Sequence, residues 1–404
     1  MASEVGAAGE PEAQEHPSEG RIRRLRRTLF DQGMDAFYVR GTTNIQCLTG
    51  FKRVFDTEQA HALAVTQKHA VLHTDSRYST AAMREAQGTC VAVDASRRTH
   101  GAVMAQLWRE DCLPGLDVGG GQRGYLGIED SMTLADYNSL RESFGLGKDA
   151  SAQDWQANHQ QAPVFSQTTD FVFNLRSVKD AAEIALMKKA QAITDAAFSH
   201  ITGFMKPGMT ERQVQLELDN FMLAHGADGL AFASIVAAGA NGASPHAIPG
   251  ETVLEAGQCV VMDFGARYQG YCSDMTRTVF LGQPQGIMLE AWNTMRRANE
   301  EVQALIRPGV TGASMHNHAE QVLEEGGFGG KMGHGLGHGV GLDIHEEPCL
   351  SPRNNAPLAA GNVVTVEPGI YVPGHFGMRL EDFGVVTESG FSVFTQSTHE
   401  LVVL

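Results

Sequence analysis

Basic residues are in short supply. Lys and Arg total 31 against 47 Asp and Glu over 404 residues, a formal net charge of −16. A chain of that sign repels phosphate backbones and anionic lipid, so neither nucleic acid nor a membrane surface is expected as a partner. Long apolar runs are missing too. Nothing approaches the roughly 20 residues of a membrane span, and the N-terminus lacks an apolar signal core, which points to the cytoplasm. The six cysteines (Cys47, Cys90, Cys112, Cys259, Cys272 and Cys349) are widely spaced, with no C-x-x-C. That argues against a disulfide scaffold or a thiolate zinc site and for reduced, mostly buried thiols. At roughly 150 residues per domain, the length predicts two or three domains.

What is present divides the chain. Residues 1–20 carry five glutamates and no Lys or Arg, and so little apolar surface predicts a disordered acidic tail. Arg21, Arg23, Arg24, Arg26 and Arg27 follow, but Ile22, Leu25 and Leu29 recur at helical spacing. The basic run therefore reads as the solvated face of a helix. From 21 to 175, the segments 36–39, 62–65, 70–72 and 91–93 read as strands and 79–86 as a helix, which predicts a mixed α/β domain. Asp75, Arg77 and Tyr78 read as turn residues at a strand end. A second domain, 176–404, opens with Ser177 and Asp180 as a helix N-cap, followed by Leu186, Ala190, Ile193, Ala197, Ile201 and Phe204 on one helical face.

That second domain repeats itself. Pro207-Gly208-Met209-Thr210 and Pro308-Gly309-Val310-Thr311 lie 101 residues apart. Ala256-Gly257-Gln258 and Ala360-Gly361-Asn362 lie 104 apart, each glycine six residues before an acid, Asp263 or Glu367. Several matches in the same order predict two related halves about a pseudo-two-fold axis, with those two acids in equivalent places.

Asp263 ends the strand-like Val260-Val261-Met262, and Asp274 follows 11 residues on, beyond a turn at Arg267-Tyr268-Gln269-Gly270. A tight hairpin would set the two directly opposite, with Cβ atoms roughly 5 Å apart. The second half offers Glu367 after Val363-Val364-Thr365-Val366, and Glu381 in Arg379-Leu380-Glu381, where alternation puts Arg379 and Glu381 on one face. Carboxylates so close repel unless one is protonated or a cation sits between them. The glycine-rich stretch 333–348 adds His334, His338 and His345. It fits neither G-x-G-x-x-G nor a P-loop, and its glycines read as close approach of backbone to a metal centre. An oxygen-rich set with one imidazole suits hard or borderline divalent ions, Mn, Co, Fe or Zn, and two of them would neutralise it.

These motifs resemble the pita-bread metallopeptidases, which include proline dipeptidase (prolidase), aminopeptidase P, methionine aminopeptidase and creatinase. The resemblance runs from about Ser177 to the C-terminus, and Asn44-Ile45-Gln46-Cys47-Leu48-Thr49-Gly50-Phe51 is similar to the N-domain of the creatinase and prolidase branch. It implies an α/β (α+β) architecture, a creatinase/prolidase-type mixed α/β domain over 21–175 and a pseudo-two-fold pita-bread domain over 176–404. It implies Asp263, Asp274, His338, Glu367 and Glu381 as ligands of two divalent ions, manganese first. His246 in Ser244-Pro245-His246 and His345 in Asp343-Ile344-His345-Glu346 match substrate-facing histidines, and His334 matches a residue supporting the ligands. The N-terminal domain and Met378-Arg379-Leu380-Glu381-Asp382 favour the Xaa-Pro branch over methionine aminopeptidase.

The expectation is a metallo-exopeptidase acting on the Xaa-Pro bond of short proline-containing peptides, a homodimer as its relatives often are. Ions bridged by Asp274 and Glu381 would share a hydroxide that attacks the carbonyl before proline. Glu367 would shuttle the proton, His246 and His345 would stabilise the oxyanion, and Arg379 would orient Glu381. The alternative on the same scaffold is a metal-dependent lyase or amidinohydrolase acting on a small metabolite.

Overall fold

A computed structural model describes residues 16–116, 123–147 and 159–404. The chain divides into a unit of Met1–Val172 and one of Phe173–Leu404. In the first unit, β1 (Ala36–Val39), β2 (Ala62–Thr66), β3 (Ala70–His73), β4 (Ala92–Asp94), β5 (Tyr125–Glu129) and β6 (Val164–Thr168) form one sheet in the order β4-β3-β2-β1-β5-β6. It is mixed, as expected: β1–β2 and β2–β3 pair antiparallel, and the other neighbours pair parallel. β1 and β2 are buried along their whole length, which is why they read as continuous apolar runs and do not alternate.

The helix Pro17–Asp31 buries Ile22, Leu25 and Leu29, as their spacing predicts, but it starts inside the expected tail. The His16 side chain accepts the Ser18 N–H as its cap, and Pro17 brings the fixed φ of a first helical turn. Of that tail, residues 1–15 lie outside the described residues. Arg21 also departs from the solvated face: it is buried and donates to the Cys47 carbonyl at 2.7 Å. Asp75, Arg77 and Tyr78 form an exposed turn, with the Tyr78 N–H on the Asp75 carbonyl and the Arg77 guanidinium on the Asp75 carboxylate. Among the described residues no helix is long and apolar enough to cross a membrane.

The second unit carries the duplication. Its first half holds helices Ala181–Phe204 and Glu211–Ala224, then β7 (Gly229–Leu230), β8 (Ile235–Ala238), β9 (Cys259–Phe264), β10 (Ala266–Tyr268), β11 (Tyr271–Cys272) and β12 (Met275–Phe280). Its second half holds helices Ile287–Leu305 and Gly312–Glu325, then β13 (Gly337–Gly339), β14 (Glu346–Leu350), β15 (Val363–Val366), β16 (Gly369–Val372), β17 (Phe376–Arg379), β18 (Asp382–Thr387) and β19 (Gly390–Val393). A last strand, β20 (Val402–Val403), returns to pair with β12. The main sheets run β20-β12-β9-β8 and β14-β13-β15-β18-β19.

The repeat extends to single hydrogen bonds. The Gly208 N–H bonds the Leu254 carbonyl and the Gly309 N–H the Leu358 carbonyl, both at 2.8 Å. Both glycines take a left-handed φ, 94° and 92°, which a side chain would strain. Thr210 and Thr311 then cap the following helices in reciprocal boxes with Gln213 and Ser314. Each half closes its own core, Val260 and Met262 among Ile201 and Leu218 in one, Val364 and Val366 among Met295 and Leu323 in the other. The first long helix is capped by Asp180, not Ser177. The Asp180 carboxylate accepts the Glu183 N–H and Glu183 returns the bond, while the Ser177 hydroxyl turns back to the Asn174 carbonyl.

Candidate metal centre

The antiparallel ladder of β9 and β12 sets Asp263 directly opposite Thr276. Asp274 stands two residues short of Thr276 on the same face, a diagonal neighbour of Asp263 and not the opposed partner expected. The cause is the turn. β10 and β11 close through Gln269-Gly270 alone, both at positive φ (48° and 88°), the two-residue hairpin geometry whose twist suits antiparallel strands. In the second half, β15 and β18 pair up to Val366↔Asp382. The next rung is Glu367 opposite Glu381, and β16–β17 carries the same ladder on to Gly369↔Arg379. Here the opposition is direct.

The glycine-rich segment delivers His338 on β13, between β14 and β15. A Cβ on Gly337 would lie 2.2 Å from the Thr365 carbonyl oxygen. The close approach read from the glycines is therefore to neighbouring strands, and it is what fixes the His338 backbone. With Nδ1–H donated to the Gly339 carbonyl at 3.0 Å, the imidazole keeps its lone pair on Nε2, 3.5 Å from both Asp274 Oδ2 and Glu367 Oε1. Donor atoms of Asp274, His338 and Glu381 all lie within 4.8 Å of one another.

Arg379 reaches across from the second half to pair with Asp263 Oδ2. Its Nε donates to Thr276 Oγ1 at 2.8 Å, and that hydroxyl donates to Glu381 Oε2 at 2.7 Å. The orienting contact expected from Arg379 to Glu381 thus runs through Thr276, and the carboxylates Arg379 itself meets are Asp263 and, at 3.9 Å, Glu367. Thr365 does the matching work beside Glu367, donating to its Oε1 at 3.2 Å and accepting the His338 N–H at 3.0 Å. Tyr371 takes a hydrogen bond from Arg379 Nη1 at 3.1 Å and meets His334 Nε2 at 3.1 Å. Sequence reasoning missed Thr276, Thr365 and Tyr371. Period two, which puts Thr276 on the face of Asp274 and Thr365 on that of Glu367, is the signal that marks the two threonines.

The electrostatics are those of a site short of positive charge. Burial first, then Glu381, Asp263 and Glu367, push the Asp274 carboxyl well above its ordinary range. Burial and then Glu367 and Asp263 do the same to Glu381, and burial raises Glu367. Burial also lowers His338, keeping it neutral. Asp263 Oδ1 is buried with no hydrogen-bond partner, an arrangement that costs about 1–3 kcal/mol if nothing fills it.

All five side chains line one cavity of about 520 Å³, together with Arg379, His246, His334 and His345. Phe232, Ile235 and Ile344 supply apolar wall. His246 and His345 are the exposed ones, and the His345 ring meets His338 edge to face at 4.5 Å. Burial, then His338 and His246, lower the His345 pKa.

Comparison with known proteins agrees with this arrangement. The sequence signature described as metallopeptidase family M24 matches residues 185–388, and that of the creatinase/prolidase N-terminal domain matches 21–157. An uncharacterized peptidase of Bacillus subtilis (strain 168) is 35% identical over 94% of this chain and 98% of its own. Among solved structures, the Xaa-Pro dipeptidase from Bacillus anthracis is 34% identical, with a TM-score of 0.82 over 96% of this chain and 100% of that one. The X-Pro aminopeptidase from Thermotoga maritima MSB8 is 30% identical, with a TM-score of 0.79 over 95% and 100%.

Proposed function

The chain belongs to metallopeptidase family M24, in its prolidase and aminopeptidase branch, and we propose that it is a two-metal exopeptidase cleaving the Xaa-Pro bond of short peptides. The observation that carries this reading is convergence: carboxylates from two duplicated hairpins and one neutral imidazole meet in a single cavity. The relatives named Xaa-Pro dipeptidase and X-Pro aminopeptidase supply the substrate class. Six cysteines without a disulfide support a reducing, cytoplasmic setting, and homodimeric assembly belongs to the same proposal.

The residues fit a pair of divalent ions. Asp263 Oδ1 has no other partner, His338 Nε2 presents a lone pair to two acids, and three buried carboxyls resist ionising without a cation. Asp263, Asp274, His338, Glu367 and Glu381 would hold them, with manganese favoured by the oxygen-rich set. When bound, such ions supply an acidified water and a Lewis acid for the scissile carbonyl.

The chain's own groups do the rest. Glu367, its Oε1 held by Thr365, moves the proton through Oε2. His345, kept neutral by burial and neighbouring imidazoles, donates an N–H to the developing oxyanion, with His246 beside it. Arg379 fixes Asp263 and, through Thr276, Glu381. A prolyl amide has no N–H, so a site that offers no acceptor there tolerates it while leaving ordinary peptides with an unpaired donor. The test is hydrolysis of Gly-Pro against an Xaa-Pro-Yaa peptide after loading with Mn, Co or Zn. Release of the first residue from either supports the reading. Failure with every metal, and turnover of a small amidine or amino-acid metabolite instead, overturns it.

A further inference from the structure

The loop that carries His345 is held by a buried charge cluster outside the metal ligands. Glu346, the next residue, is 3% exposed. Its Oε2 takes a bond from Lys179 Nζ at 2.8 Å, and its Oε1 from Arg176. Arg176 also bonds Asp343 Oδ2 at 2.7 Å, and the Asp343 N–H returns to Glu346 Oε1 at 3.1 Å. Both cations are themselves buried. They belong to a strap, residues 176–179, tied down by its backbone: the Lys179 N–H bonds the Gly361 carbonyl at 2.9 Å, and Asn362 Nδ2 donates to the Ser177 carbonyl at 3.0 Å. On the other side, a Cβ on Gly341 would lie 2.5 Å from the Glu346 carboxylate. The carboxylate is thus clamped from every direction, while His345 beside it is exposed and lines the cavity.

Two charges facing Glu346 are more than a fold needs, since buried ion pairs commonly break even against apolar packing. They do fix one geometry. Burial alone would oppose ionisation of Glu346, but Lys179 and Arg176 outweigh it and hold the carboxyl below its ordinary range. The clamp therefore persists across neutral pH.

We infer that Glu346, gripped by Lys179 and Arg176, is the positioning residue that aims His345 at the reacting carbonyl. The inference rests on the reading of His345 as a group facing substrate. It gives the strap a place in catalysis that its distance in sequence from every ligand conceals.

A double-mutant cycle tests it. Lys179→Met leaves Glu346 with one cation where it had two and threatens folding, so the main variant is K179M/E346L, which removes that pair, keeps the volume and leaves Arg176 bonded to Asp343. Its melting temperature is expected to stay near wild type while kcat on an Xaa-Pro peptide falls about tenfold with KM little changed. In a His345→Ala background the same pair of substitutions is expected to cost nothing further, and Lys179→Arg alone to retain most activity. A second readout needs no turnover: in a crystal structure of K179M/E346L the His345 ring is expected to leave the edge-to-face position it holds on His338. Full additivity with His345→Ala, or a His345 ring unmoved from its wild-type position, overturns the inference. If the metal-loaded wild type cleaves no Xaa-Pro peptide, the substrate assignment falls, and the structural arm still decides the positioning role.

Discussion

Arg379 and Asp263 form a buried ion pair between the two halves of the C-terminal unit. The guanidinium also bonds Thr276 and Tyr371, while Asp263 Oδ1 is buried without a hydrogen-bond partner. Burial works against the arginine's charge, but Tyr371, Asp263, Glu367 and Glu381 hold it firmly protonated. Replacing it with lysine keeps the charge and loses the planar fork. Arg379→Lys is expected to lower kcat by about 10²-fold and to weaken metal retention. Activity and metal content measured on the same preparation check this, and full metal with full activity would show that the fork is dispensable.

Thr276 links two half-sites with one hydroxyl, accepting from Arg379 and donating to Glu381. Thr276→Val preserves shape and removes both bonds. A loss of about tenfold in activity is expected, with little change in melting temperature once metal is saturating. Calorimetric unfolding and steady-state kinetics across a metal titration provide the measurement.

The carboxyls give a pH prediction with a definite sign. Glu381 has a folded-state pKa raised well above its ordinary 4.5. Its contribution to stability is full below that unfolded value and is lost as pH rises through the folded one. Without metal, Glu381→Gln is therefore expected to melt higher than wild type near pH 8, the gap closing toward about pH 5. Paired melts in chelator across that range test it. An equal gap at every pH would mean that Glu381 is ionised throughout.

Metal loading should reverse that ranking. Exhaustive chelation is expected to abolish peptidase activity and lower the melting temperature of the wild type, and Mn should restore both, because a ligand that binds only the folded state stabilises it. Retention of full activity after chelation would exclude the two-metal reading.

Gly337 sits where a Cβ would meet a backbone oxygen at 2.2 Å, with no flexible side chain to give way. Gly337→Ala is expected to destabilise the protein by on the order of 2–4 kcal/mol and to displace His338. Denaturant unfolding gives the first quantity, and loss of metal affinity reports the second.

Much of this was legible in the sequence, for physical reasons. Acids at strand ends gain meaning when a duplicated frame sets them in matched places, and the Pro-Gly-x-Thr turns that mark the frame recur in the structure with the same φ and the same bonds. Register was harder. Asp263 and Asp274 are separated by a number that permits direct opposition, and only the choice of Gln269-Gly270 as the turn makes them diagonal. The start of the first helix was hidden because Pro17–Gly20 has no large apolar side chain; the buried apolar residues of the helix begin at Ile22. Thr276 escaped notice because a hydroxyl in a strand is ordinary until its neighbours are known, and Arg21 because burial of an arginine depends on a carbonyl 26 residues away.

The ladders described above match rung for rung, yet their cargo does not. Where the second lobe opposes Glu367 with Glu381, the first opposes Asp263 with Thr276, and where the first carries Asp274, the second carries Arg379. A strictly twofold ancestor would have offered both cations identical surroundings. On the proposed two-metal reading, the exchange of one anion for one cation leaves three net negative charges facing two dications, so the occupied centre would retain one unit of positive charge for an incoming anionic group. Because the two cation positions are chemically unequal, they should fill in sequence, one tightly and the other at higher concentration.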